Sequence, residues 1–138
     1  MHNGNMIKME FNASAENESL ARMAISALLM QQNPPLSLVS EVRTAVSEAV
    51  TNAVVHSESP VVVLRASLDS NLLSVEVEDF GCGIDDIKQA MQPFFTTQPD
   101  EERTGIGFAL MQSFMDSVHV VSSPGNGTLV KMTKLLAE

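Results

Sequence analysis

The sequence predicts an α+β fold: a two-layer sandwich with helices on one face of a mixed, mostly antiparallel sheet. Three observations point to it. Strand-like alternation opens the chain, returns in its middle and closes it. Two long helical patterns stand side by side between the first strand and the second. The resulting order, β-α-α-β-β-loop-α-β-β, groups helices between strands, which favours a helical layer packed on a sheet.

Each element has its own warrant. Met6 to Phe11 (MIKMEF) alternates apolar and polar residues, as a half-buried strand does. Ser14 to Gln32 reads as a helix with Leu20, Met23, Ala24, Ala27 and Leu28 along one side. Asn33-Pro34-Pro35 breaks it. Ser37 is placed to cap a second helix that runs to about His56. After the turn Ser57-Glu58-Ser59-Pro60, the β-branched run Pro60 to Leu68 reads as a strand. Asp69-Ser70-Asn71 is a turn, and Leu72 to Asp79 (LLSVEVED) is its hairpin partner. Phe80 to Thr104 is long for an ordinary connection. A helical pattern resumes over Gly105 to Ser117. Two strands, Val118 to Ser122 and Thr128 to Leu135, then close the chain around Pro124-Gly125-Asn126-Gly127.

The bounds agree with one domain over residues 1–138, since 138 residues at 44% hydrophobic suffice for a single core. One cysteine, Cys82, rules out an internal disulfide framework and suits a reducing cytoplasm. No signal peptide or membrane-spanning run is visible. With 17 acidic and 8 basic residues the formal charge is −9, which argues against direct nucleic-acid binding and leaves room for a protein partner with a basic surface.

The second helix poses the functional question. Its segment SEAVTNAVVH is mostly alanine and valine, yet Glu48, Asn52 and His56 recur every fourth residue. At about 100° per residue these three form one stripe. Val42, Ala45, Val46, Ala49, Val50 and Ala53 cluster beside it, so the stripe borders the buried face. It reads either as a polar edge or as the lining of a cleft. In a cleft, Glu48 can accept a proton and Asn52 can offer an oxygen to Mg²⁺, a cation usually bound by few protein oxygens plus water and phosphates.

Glycines add to this. DFGCGI at Asp79 to Ile84 follows a strand directly, and its glycines let a ligand approach the main chain. TGIGF at Thr104 to Phe108 opens a helix, where unpaired N–H groups form an anion site. It is neither a Walker loop nor a dinucleotide fingerprint. Gly127-Thr128 opens the last strand. Each signal alone has an ordinary structural reading; all four in this order do not.

In that order the motifs resemble the four ATP-binding boxes of the GHKL (Bergerat-fold) ATPases and kinases, which include the histidine-kinase-like ATPase domains. FNASAENESLAR, SEAVTNAVVH and MQPFFTTQPDEERTGIGFALMQSFMD are similar, more closely, to the anti-sigma F factors of spore-forming bacteria, a group of serine-protein kinases. The stretch from PFFTT to GIGF resembles that group's ATP lid.

The resemblance implies roles. Glu48 is the general base for the incoming serine, and Asn52 holds Mg²⁺ on the ATP phosphates. Asp79 accepts from the adenine amine, with Gly81 and Gly83 in the same box. Thr128 supports adenine recognition. Gly105 and Gly107 give N–H groups to the phosphates, and Arg103 neutralises the γ-phosphate. Thr96 and Thr97 belong to the lid. His56 contacts phosphate or makes a structural hydrogen bond. Arg22 contacts partner proteins or is an ordinary exposed arginine. The implied partners are a sigma factor, an anti-anti-sigma protein of STAS type and a second copy of the chain, with ATP and Mg²⁺ as cofactors. One departure stands out: the family has a longer, glycine-containing turn after His56, where Ser57-Glu58-Ser59-Pro60 is abrupt.

Three other functions compete with a sporulation anti-sigma kinase. A stress-response anti-sigma kinase shares the motifs. A detached histidine-kinase catalytic domain would need a dimerisation unit from another chain. A non-catalytic module that binds ATP would not need Glu48. Length and acidity disfavour a DNA-linked ATPase of this fold.

Overall fold

The computed structural model describes residues 4–56, 58–82, 103–122 and 124–136. Its strands are β1 (Asn5–Asn12), β2 (Val61–Asp69), β3 (Leu72–Asp79), β4 (Ser117–Ser122) and β5 (Thr128–Leu135). Its helices are α1 (Asn17–Leu29), α2 (Leu36–His56) and α3 (Arg103–Phe114). The strands form one five-stranded sheet in the order β1-β2-β3-β5-β4. All four pairings among the described residues are antiparallel, the predominant arrangement in the mixed, mostly antiparallel sheet that the sequence predicts.

Alternation sets the faces of the sheet. Val62, Leu64, Ala66 and Leu68 of β2 are buried, as are Leu73, Val75 and Val77 of β3. The pairs Leu64↔Val77 and Ala66↔Val75 hold these residues in register on the helical side. A slip of one residue would turn the whole set to solvent. On the other face, Arg65 donates to Glu76 at 2.9 Å and to Glu78 at 2.6 Å, and Lys131 lies 3.7 Å from Glu76.

The helix α2 is the central element of the helical layer. Val42, Ala45, Val46, Ala49, Val50 and Ala53 are all buried, as its periodicity predicts. Two boundaries differ from expectation. Ser37 lies inside the first turn of α2 and does not cap it, because Leu38 and Val39 already donate to the Pro35 carbonyl. The helix expected over 105–117 is shifted toward the N-terminus. Met115 N–H closes the last turn on Met111, and Asp116 N–H then passes to the Thr133 carbonyl in the sheet. Ser117 is therefore a strand residue.

The first helix turns a different face inward. Ala21, Ile25, Leu28 and Leu29 are buried, whereas Leu20 is 50% and Met23 65% exposed. Two apolar stripes share this helix, and at the margin of the layer only one can meet both α2 and the sheet. The predicted side is mostly the outer one, with Ala27 exposed as well.

Candidate functional site: one end of the sheet and two helices

The short connection from α2 to β2 places the site. His56 ends α2, and β2 begins at Val61. The start of β2 pairs with the end of β3 through Val62↔Asp79, and the end of β3 pairs with the start of β5 through Asp79↔Thr128. The last turns of α2, Asp79 and Thr128 therefore gather at one end of the sheet.

Asp79 and Thr128 are both buried polar residues. Asp79 Oδ1 accepts the Gly81 N–H at 3.0 Å. Burial pushes the Asp79 carboxyl above its ordinary value; hydrogen bonds from the Gly81 and Thr128 backbones oppose this, and the charge of Glu78 adds to it. Ser122 Oγ donates to the Gly127 carbonyl at 2.9 Å and lies 2.8 Å from Thr128 Oγ1. A serine hydroxyl has one proton, so Thr128 is the donor in that pair and keeps its lone pairs for a ligand.

Gly127 secures this corner. Its φ is +76°, and a Cβ there would lie 2.2 Å from the Asp79 carbonyl oxygen. Only glycine allows β5 to begin this close to the Asp79-Phe80 peptide.

The other half of the site lies between α2 and α3. Glu48 and Asn52 are half-buried on α2. A Cβ on Gly107 would stand 3.1 Å from Glu48 Oε1 and 3.2 Å from Asn52 Nδ2, so the missing side chain leaves room where these two side chains converge. Asn52 Nδ2 and Oδ1 are both shielded from solvent, and neither has a hydrogen-bond partner among the described residues. A buried amide left without partners is costly, and both atoms point to a polar ligand that completes the site. An acceptor oxygen beside a glycine-cleared helix fits phosphate and a hard cation.

The glycines of α3 divide their tasks. The helix starts at Arg103, ahead of the expected start at Gly105. Gly105 therefore lies in the first turn, where N–H groups lack intrahelical partners, whereas Gly107 lies beyond it. The clearance at Gly107 lies beside Glu48 and Asn52. Arg103 is the first residue of this helix. Gly83, Thr96 and Thr97 lie outside the described residues.

The comparisons with known proteins agree with this geometry. Residues 11–134 match the histidine kinase-like ATPase domain family. An anti-sigma F factor of Caldanaerobacter subterraneus is 44% identical over 99% of this chain and 97% of its own length. One from Pasteuria penetrans is 44% identical over 96% of this chain and 91% of its own. The chain belongs to the anti-sigma F factor family. Solved structures of the wider fold superpose across nearly all of it. The RsbU and RsbW domains of a Mycobacterium tuberculosis protein give a TM-score of 0.68 at 16% identity, covering 96% of this chain and 32% of that one. The histidine kinase AdeS of Acinetobacter baumannii gives 0.59 at 11% identity, covering 97% and 70%. At these identities the likeness shows the fold alone.

Against the family's pattern, Glu48, Asn52 and Gly107 come together, and so do Asp79, Gly81 and Thr128. Arg22 stands apart, on α1. Its Nε lies 3.5 Å from Glu18 Oε2, an ion pair without a hydrogen bond. With Ser40, Arg43, Thr44 and Ser47 it lines a cleft of about 310 Å³ between the first two helices. Ser122 is not among the expected ligand-site residues, and Gly127 is expected only as part of the Gly127-Thr128 motif, with no role of its own. The Pro-Gly-Asn-Gly turn hinted at Gly127. Ser122 gave no signal beyond ending a strand.

Proposed function

We propose that this chain is an anti-sigma factor that also acts as an Mg²⁺- and ATP-dependent protein-serine kinase, inactivating an anti-anti-sigma protein by phosphorylation. The observation that carries the proposal is the pair of unsatisfied Asn52 side-chain atoms beside the space left by Gly107, one helical turn from Glu48.

In this reading Asp79 accepts the exocyclic amine of adenine and Thr128 accepts a second hydrogen bond, from the base or a water. Asn52 Oδ1 would hold Mg²⁺. The first-turn N–H groups of α3 and the Arg103 guanidinium would neutralise phosphate charge. The bound Mg²⁺-nucleotide supplies the phosphoryl group and much of the charge neutralisation that its transfer needs. Glu48 takes the proton from the incoming serine hydroxyl. Arg22 and Arg43, arginines on a chain of net charge −9, form a local basic surface suited to an acidic segment of a partner. The family relation supports adding a role in sporulation, a homodimer and a cytoplasmic setting to the proposal. No described helix is long and apolar enough to cross a membrane.

A phosphotransfer assay tests the proposal. Label from γ-labelled ATP is expected on a serine of a STAS-type domain from the same genome. Glu48→Gln should lower the rate by about 10²–10⁴-fold, the usual worth of a general base, with ATP affinity retained. ATP binding without transfer would instead support a non-catalytic binding module.

A further inference from the structure

The short connection between α2 and β2 carries a buried serine. Ser59 is 6% exposed. Its Oγ donates to the Val61 carbonyl at 2.6 Å and accepts the Phe80 N–H at 3.0 Å. The last rung between β2 and β3 pairs Val62 with Asp79. The next would pair Val61 with Phe80. A side-chain oxygen stands there instead, joined to the carbonyl of one residue and the N–H of the other. The hydroxyl is thus a one-atom spacer that ends the ladder immediately after Asp79.

The turn is held to this shape. Glu58 adopts φ +61°, a left-handed conformation that costs a non-glycine residue energy and persists only where its surroundings impose it. Pro60 O accepts the Ala13 N–H at 3.0 Å, which ties the turn to the end of β1. Opposite Ser59, Gly127 packs against the same Asp79-Phe80 peptide. That peptide is therefore fixed by a hydroxyl on one side and by glycine contact on the other.

We infer that Ser59 is a positioning residue for nucleotide selection, setting the Asp79 carboxylate for the exocyclic amine of adenine by holding the Phe80 N–H. The inference rests on the proposed role of Asp79 as the adenine acceptor. It assigns to the short turn a task done from outside the ATP-binding motifs themselves.

The test compares affinity for ATP with affinity for purine riboside triphosphate, which lacks the exocyclic amine, in wild type, Ser59→Ala, Ser59→Thr and Asp79→Asn. Wild type should prefer ATP. Ser59→Ala should lose roughly tenfold for ATP, the scale of one hydrogen bond to a charged group, and less than about twofold for the analogue. Ser59→Thr, which keeps the hydroxyl, should restore the preference. In the nucleotide-free protein, Phe80 amide exchange should accelerate in Ser59→Ala and not in Ser59→Thr. If Ser59→Ala does not fold, Ser59→Cys, whose sulfur is a weak acceptor, takes its place. Equal losses for both nucleotides, or unchanged discrimination, would overturn the role of Ser59 while wild type still prefers ATP and Asp79→Asn does not. If wild type binds both alike and Asp79→Asn binds ATP normally, the reading of Asp79 fails and the inference falls with it.

Discussion

The two ends of the site are built differently. At the sheet end the polar groups are paired before any ligand arrives: Asp79 with the Gly81 and Thr128 backbones, Ser122 with Gly127 and Thr128, and Ser59 with Val61 and Phe80. At the helix end, Asn52 has two shielded polar atoms with no partner among the described residues, and Gly107 leaves a space beside them. One end is pre-organised; the other is completed by what binds there. The sheet end is formed by strand register, which folding must establish in any case. The helix end depends on two helices meeting across a gap, and the cost of the unsatisfied amide is relieved on binding. In the proposed reading, base recognition is therefore tied to the fold, and phosphate recognition to the ligand.

That contrast can be broken in a definite order. Gly127→Ala should have the largest effect, because it combines strained φ with a backbone clash. A loss of about 3 kcal/mol or more of folding stability is expected, measured by denaturant unfolding. Asp79→Asn should reduce ATP affinity by about 10–100-fold, the worth of a hydrogen bond to a charged acceptor. Burial holds the folded-state pKa of Asp79 above its unfolded value. Its contribution to stability is thus complete below the unfolded pKa and is lost as pH rises through the folded one. At neutral pH the nucleotide-free Asp79→Asn protein should therefore melt higher than wild type, and ATP affinity of wild type should fall on acidification sooner than an ordinary carboxylate would dictate. Gly107→Ala should have the smallest effect on folding. Alanine gains about 1 kcal/mol of helix propensity, set against contacts at 3.1 and 3.2 Å with the ends of two side chains. Calorimetry should show roughly tenfold weaker ATP binding, with little change in melting temperature.

The sequence made the helix end legible because its signals are local. A polar stripe at fourfold spacing on an alanine-valine helix shows which side chains share an edge, and the buried positions of α2 match that periodicity. Strands β3 and β5 were equally plain, since alternation and flanking turns set both limits. The face of α1 was misread because two apolar stripes fit its spacing, and tertiary position alone selects between them. The roles of Ser59, Ser122 and Gly127 were hidden for a related reason. Ser59 and Gly127 act on the Asp79-Phe80 peptide, distant in sequence from both, and no local pattern records a register; Ser122 acts on the nearby Gly127 and Thr128 through a hydroxyl geometry that residue type alone does not show. The start of α3 was placed too late because glycines read as a helix boundary, although here they lie within its first turns.

The most direct test of the account is the Mg²⁺ dependence of ATP affinity in wild type and in Asn52→Ala. Wild type should bind ATP at least tenfold more tightly with Mg²⁺ than without it. Asn52→Ala should fold normally, bind weakly and respond little to the cation, because removing an unsatisfied buried amide costs the empty protein almost nothing. Unchanged Mg²⁺-ATP affinity in Asn52→Ala would show that the polar stripe of α2 is structural and would contradict the account.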